Sequence, residues 1–316
     1  MTGAPAVPLL EAISEALALI RQQGAPRLPD RLPPHTPPLP SLLDQCRALQ
    51  ARAAADATEP LRTLHHMACS GGTLISKCLA VMPNTLLLSE VAPLSRIGLN
   101  PAKPNFLPSD MIRQLKENHR PSPREDLIEI FLAGLTALLR QTRARGERLV
   151  LRDHAHSQFC VGPDIPDYPP LHKMVAGLAP VLSVVTLRHP LDSYLSLLNN
   201  GWEHYKPAGL EEYARRYLAF LDAHAGITML RYEDFTEDPD TVLRQICDIL
   251  QLPFSPHAIN TFSVIHISGD SGRSGAVIGP RSRRTVPAAL AAAAETSDSY
   301  HRLCARLGYQ SASSSG

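Results

Sequence analysis

Apolar and polar positions along this chain fall into short runs of β-type character, each followed by a stretch with helical spacing. Residues 62–68, 84–90, 148–154, 182–189 and 227–232 read as strands, and residues 72–82, 123–144, 191–200, 210–224 and 239–250 read as helices. Such alternation predicts an α/β fold of three layers, α/β/α, with a central parallel sheet covered on both faces. Open sheets of this kind bind ligands beyond the carboxyl ends of their strands. Four sets of chemistry-bearing residues stand there: Ser70 with its neighbours, Glu90, Arg152 with His154, and Arg188.

The flanking segments read differently. An amphipathic helix is predicted from Leu9 to Gln22, then a proline-rich run from Pro26 to Pro40 that is unsuited to helix or central strand, then a second helix from Ser41 to Ala55. The expected organisation is an extension over residues 1–58, a main domain over 59–310, and a small, polar, fraying tail over 311–316. Residues 93–123 carry weak strand signals and read as a lid, an acceptor-site wall or a surface loop.

The most informative local pattern is His65-His66-Met67-Ala68-Cys69-Ser70-Gly71-Gly72-Thr73-Leu74, where a β-type run breaks into small residues and resumes as helix. A turn with little side-chain bulk lets backbone N–H groups converge, and the helix after it adds unpaired donors and a positive dipole end. That is a cradle for phosphate or sulfate. It is not a Walker A loop, which needs lysine directly after the last glycine, whereas Lys77 lies more than a helical turn beyond Gly72, on the expected helix flank.

Ser70-Gly71-Gly72-Thr73-Leu74 resembles the phosphosulfate-binding loop of the PAPS-dependent sulfotransferases, with Cys69 where that family usually carries a cation. Arg188 at a strand end, followed eight residues later by Ser196, resembles the family's 3′-phosphate motif. Arginine suits a phosphate because its planar fork gives two parallel charged hydrogen bonds. The resemblance implies a P-loop-like cofactor loop (Cys69, Ser70, Gly71, Gly72, Thr73, Leu74), a tyrosine near the adenine (Tyr232), and a late glycine-rich loop closing on the 3′-phosphate (Ser271, Arg273). Arg281, Arg283 and Arg284 follow it with their role open. The implied cosubstrate is 3′-phosphoadenylyl sulfate, the product adenosine 3′,5′-bisphosphate, and the acceptor a hydroxyl compound of unspecified class.

Sulfuryl transfer needs a cation at the departing phosphate and a base for the acceptor's proton. Arg148-Leu149-Val150-Leu151-Arg152-Asp153-His154 resembles the Lys-Thr-His segment of the family's cytosolic branch, which makes Arg152 the cation and His154 a base. Glu90, twenty residues beyond Ser70, resembles the base of the protein-tyrosine branch, and the choice between the two is open. A P-loop kinase using ATP and a non-catalytic nucleotide-binding module are the competing classes.

Composition narrows the setting. With 316 residues, 44% of them hydrophobic, the chain can bury a large core. A formal charge of +1 gives no electrostatic case for nucleic acid. Six scattered cysteines without a Cys-x-x-Cys pair argue against a disulfide framework and a zinc site, and no metal is expected. No stretch has the length and charge depletion of a transmembrane helix, and the first residues lack a secretory pattern, so a cytoplasmic enzyme is the expectation. Oligomeric state is open, a homo-oligomer included.

Overall fold

A computed structural model describes Ala18 and residues 41–45, 47, 59–99, 106–120, 122–268, 277–280 and 282–311. The chain divides into two units, Met1–Ala57 and Thr58–Gly316. In the first unit, Ala18 and residues 42–45 and 47 are helical, and Ser41 Oγ accepts the Asp44 N–H at 3.1 Å as a helix N-cap does. The rest of the predicted helices at 9–22 and 41–55, and the whole proline-rich run, lie outside the described residues.

The second unit is built on five parallel strands: β1 (Leu61–His66), β2 (Thr85–Val91), β3 (Arg148–Asp153), β5 (Val181–Leu187) and β7 (Thr228–Arg231), in the order β2-β3-β1-β5-β7. The parity of a strand decides what each face receives. From β1, Leu64 enters a core with Leu74, Ile75, Cys78 and Leu79 of α1 (Gly72–Ala80) and with Leu243 and Ile246 of α9 (Pro239–Leu250). Leu61 enters a second core with Leu135 of α3 (Arg124–Ala144) and Leu171 of α5 (Leu171–Met174). The third core joins Val185 and Leu187 to α6 (Pro190–Asn199), α7 (Leu210–Ala223) and α12 (Asp298–Leu307). Helices therefore cover both faces, as the alternation predicts.

Sheet order creates the crevice. The connection leaving β1 runs to β2, beyond β3, whereas the one leaving β5 runs the other way to β7. Neighbouring strands whose connections part leave a gap at their carboxyl ends. The loop after β1 holds Ser70 to Thr73, and the turn after β5 holds Arg188.

Several helix starts follow local sequence rules. Pro190 opens α6 and Pro239 opens α9, where a missing N–H costs nothing. Asp238 Oδ1 accepts the Thr241 N–H at 3.1 Å to cap α9.

Other elements depart from the sequence expectation. Tyr232, predicted to end a strand, is the first residue of α8 (Tyr232–Glu237). Within 93–123 the described residues include a helix, α2 (Met111–Glu117), capped by Asp110. Helices with no counterpart among the predicted ones also include α5, α10 (Ala258–Thr261), α11 (Ala288–Thr296) and α12. Two short strands, β4 (Val161–Gly162) and β6 (His204–Tyr205), pair in parallel, and His204 forms part of one wall of the cleft.

Arg216 of α7, fully buried, fastens this wall. It is paired with Glu212 and donates to the carbonyls of Phe159 (3.2 Å), Gly162 (2.9 Å) and Pro163 (2.7 Å), with its guanidinium 4.9 Å from the Tyr205 ring centroid. Removing one partner of a buried ion pair strands the other. Arg216→Leu is expected to lower the free energy of unfolding in urea by about 3 kcal/mol; a loss well under 1 kcal/mol would contradict this reading.

Candidate functional site

The loop between β1 and α1 is shaped by residues in left-handed conformations, Cys69 at φ 61° and Gly71 at φ 86°. Gly71 is also required by contact, because a Cβ there would stand 2.0 Å from Cδ2 of Tyr232. Gly72 is in the same position beneath His66, whose ring would meet a Cβ at 2.1 Å. Two aromatic rings thus close on a loop that only glycine leaves thin enough. The first turn of α1, in which the Leu74 N–H bonds back to Gly71 O at 3.1 Å, lies along a cleft of about 830 Å³.

Ser70 is fully buried, and its hydroxyl donates to Met67 O at 2.7 Å, so its side chain fastens the turn from below. Cys69, Gly71, Gly72, Thr73 and Leu74 line the cleft, and Ser70 does not. The Cys69 thiol is hydrogen-bonded to Ser196 and Asn200, and burial raises its pKa above the usual thiol value. Lys77, assigned by spacing to the helix flank, lines the cleft as well. The signal was available: Thr73 and Lys77 are four residues apart on one helix face.

Strand parity places the cation. Arg152 shares the parity of Val150, which belongs to the α1 side of the sheet, as does His66 with Leu64. Its buried guanidinium donates from Nε to His66 Nε2 (2.9 Å), from Nη1 to Ser89 Oγ (2.8 Å) and Ser268 O (2.9 Å), and from Nη2 to Thr73 Oγ1 (2.8 Å). His66 is neutral, pushed far below the ordinary histidine range by burial and then by the Arg152 charge. Positive charge reaches the loop from a neighbouring strand, although the residue before Ser70 is a cysteine.

Glu90 and His154 lie at the same corner. Glu90 sits at φ 58°, where the β2–β3 register shifts between Leu88 and Val91, and its Oε1 is 3.9 Å from Arg152 Nη1. His154 precedes α4 (Ala155–Phe159) and lies parallel to His156 at 5.8 Å between ring centroids. Burial lowers its pKa below the ordinary value, against the raising influence of Glu90 and Asp153. Beyond it, Trp202 and His204 stand 5.9 Å and 5.8 Å from the His156 ring and extend the cleft wall.

At the other end, Arg188 Nη1 donates to Cys69 O at 3.2 Å, and its guanidinium lies 5.2 Å from the centroid of the Tyr232 ring. Tyr232 is thus layered between Gly71 and Arg188. Ser196 lines the cleft one helix away. Below, Glu233 accepts the His189 N–H (2.9 Å) and the Tyr309 hydroxyl (2.7 Å), which fixes α8 against the turn that carries Arg188. Ser271 and Arg273, the expected closing residues, lie outside the described residues, as does Arg281. The segment enters at Ser268 on Arg152 and leaves through Gly279 and Pro280 along the cleft. Arg283 and Arg284 also line it, Arg283 paired with Asp192 at 3.2 Å.

His65, of opposite parity to His66, belongs to the other face of the sheet. There it shares Asp153 with a group of rings that includes His172 and His224. Burial pulls His65 and His224 down to about 3 and His172 to about 4, so all three are neutral at pH 7. The same burial raises Asp153 to about 6.

Comparison with known proteins follows the geometry. Residues 180–256 match the model of the Sulfotransferase family, a span running from β5 through α9 that carries Arg188, Ser196 and Tyr232. The chain resembles that family in this segment as well as in its loop motif. Two solved structures are similar to it: the sulfotransferase domain from the Synechococcus PCC 7002 olefin synthase (18% identity, TM-score 0.45, 80% of this chain and 96% of that one) and mouse sulfotransferase SULT7A1 complexed with PAP (11% identity, TM-score 0.35, 65% and 64%). No curated protein sequence matches the chain. Among the described residues, no helix is long and apolar enough to cross a membrane, and five cysteines are free.

The thinness of the loop is testable. Gly71→Ala is expected to lose about 1–2 kcal/mol for its left-handed backbone, plus the clash with Tyr232. Adding Tyr232→Ala should relieve the clash alone, leaving the double variant less unstable than the two losses added. Strict additivity in urea unfolding would contradict the contact.

Proposed function

We propose that this protein is a sulfotransferase that moves the sulfuryl group of 3′-phosphoadenylyl sulfate to a hydroxyl acceptor and releases adenosine 3′,5′-bisphosphate. One observation carries the reading: two guanidinium groups, Arg152 on Thr73 and Arg188 on Cys69 O, stand at opposite ends of one glycine loop. A ligand with charge at both ends fits that spacing of cations, and the bisphosphate nucleotide is such a ligand.

The residues divide the work. The N–H groups of the first turn of α1 and the Thr73 hydroxyl bind the 5′-phosphosulfate, and Arg152 offsets the charge that grows on the departing phosphate. Arg188 and Ser196 take the 3′-phosphate, with Tyr232 beside the purine. The family resemblance assigns Ser271 and Arg273, outside the described residues, to the same phosphate.

His154 takes the acceptor's proton, because burial holds it neutral and a neutral imidazole keeps a lone pair at pH 7. The sulfuryl group leaves one oxygen and joins another, and the proton passes from the acceptor hydroxyl to the ring. Glu90 is the rival base in the same corner. The His156, Trp202 and His204 wall receives the acceptor.

Adenosine 3′,5′-bisphosphate should raise the melting temperature without added magnesium, and Arg188→Ala should weaken its binding by about 1.5–3 kcal/mol in calorimetry. An equal or larger response to Mg·ATP would favour the kinase reading, and unchanged affinity in Arg188→Ala would remove the 3′-phosphate assignment.

His154→Gln should cut turnover by roughly 10²–10⁴ with nucleotide affinity nearly unchanged. The wild-type rate should fall on the acid side, at a pH below the usual histidine value of about 6.5, as the ring gains its proton. A loss confined to Glu90→Gln would move the base to Glu90, and no loss in either variant would remove both.

A further inference from the structure

We propose that His65, His172 and His224 form a binding site for one divalent transition-metal ion of the zinc class, on the face of the sheet opposite the nucleotide cleft. The three come from β1, from α5 and from the residue that ends α7, and one ring nitrogen of each lies within 4.8 Å of the others. Their ring centroids are 4.5, 5.0 and 5.1 Å apart.

Two of the nitrogens point to a missing ligand. His224 is fully buried and gives Nδ1–H to Phe220 O at 2.8 Å, which leaves Nε2 as a lone pair with no hydrogen-bond partner. His172 Nδ1 is likewise buried without one. Buried polar atoms left unsatisfied are costly, and a cation would satisfy both at once.

The surrounding bonds are those a metal site uses. Metal-binding imidazoles nearly always fix their second nitrogen on a carboxylate or a backbone carbonyl. His65 Nδ1 lies 2.7 Å from Asp153 Oδ2, and His224 Nδ1 is on Phe220 O. His65 Nε2 is 2.9 Å from Thr63 Oγ1, and that hydroxyl has a second partner in Ser183 Oγ at 2.7 Å, so it can turn away. An all-imidazole donor set selects zinc, nickel, cobalt or copper over magnesium or calcium, and three ligands leave a fourth position for water. His172, half-buried, forms the entry side.

Such an ion would be a structural pin. It would tie α5 and the end of α7 to β1, and through His65 it would fix Asp153, the residue between Arg152 and His154.

The test uses the untagged full-length protein, stripped with chelator and then given Zn²⁺ or Co²⁺ alone. The expected result is one ion per chain retained through gel filtration, the visible absorption of four-coordinate Co²⁺, and a melting temperature raised by about 5–10 °C at saturating Zn²⁺. His172→Ala, at the rim, should stay folded by circular dichroism and lose the ion and the shift, as should the more conservative His224→Gln. His204→Ala, in the cleft, should keep both. Absence of stoichiometric metal in the wild type, or its full retention in His172→Ala, would overturn the site.

Discussion

A guanidinium buried among neutral acceptors governs the whole site. Arg152 is held by a histidine nitrogen, two hydroxyls and a backbone carbonyl, and a carboxylate stands 3.9 Å away. These bonds hold the cation in one orientation. Burying charge is expensive unless it is well hydrogen-bonded, and fixing it in advance spares an enzyme that reorganisation during reaction. His66 must be neutral to accept from it, Thr73 must sit at the start of α1, and Ser268 must bring its carbonyl within reach. Each of those demands reaches a different element of the fold.

Strand parity is the device that meets them. His65 and His66 are adjacent in sequence yet belong to opposite faces, as do Arg152 and Asp153. His66 and Arg152 meet at the glycine loop, and His65 and Asp153 join the buried histidine group behind the sheet. A single-residue slip in β1 or β3 would exchange the two sets, and the register of β1 against β3 and β5 is what prevents it.

The parallel sheet was readable because its strands are short apolar runs bounded by helical spacing, and α6 and α9 were readable because proline marks their first residues. Cys69, Gly71 to Leu74, Arg152, Arg188 and Tyr232 stand along one cleft because strand ends converge there. What escaped reading was tertiary. The inward turn of the Ser70 hydroxyl depends on Met67 O, and the partners of Arg216 are carbonyls of a loop distant in sequence. The alanine-rich α11 has no polar face to betray it, and Tyr232 starts a helix although the residues before it are β-type. His65, His172 and His224 lie in three separated segments with no ligand spacing, so cysteine arithmetic could say nothing about them.

The central claim is that one nucleotide spans the loop and both arginines. A crystal structure grown with adenosine 3′,5′-bisphosphate tests it most directly. The account predicts the 5′-phosphate at the first turn of α1 beside Thr73 and Arg152, and the 3′-phosphate on Arg188. A nucleotide seated elsewhere, or a cleft left vacant at saturating ligand, would contradict it.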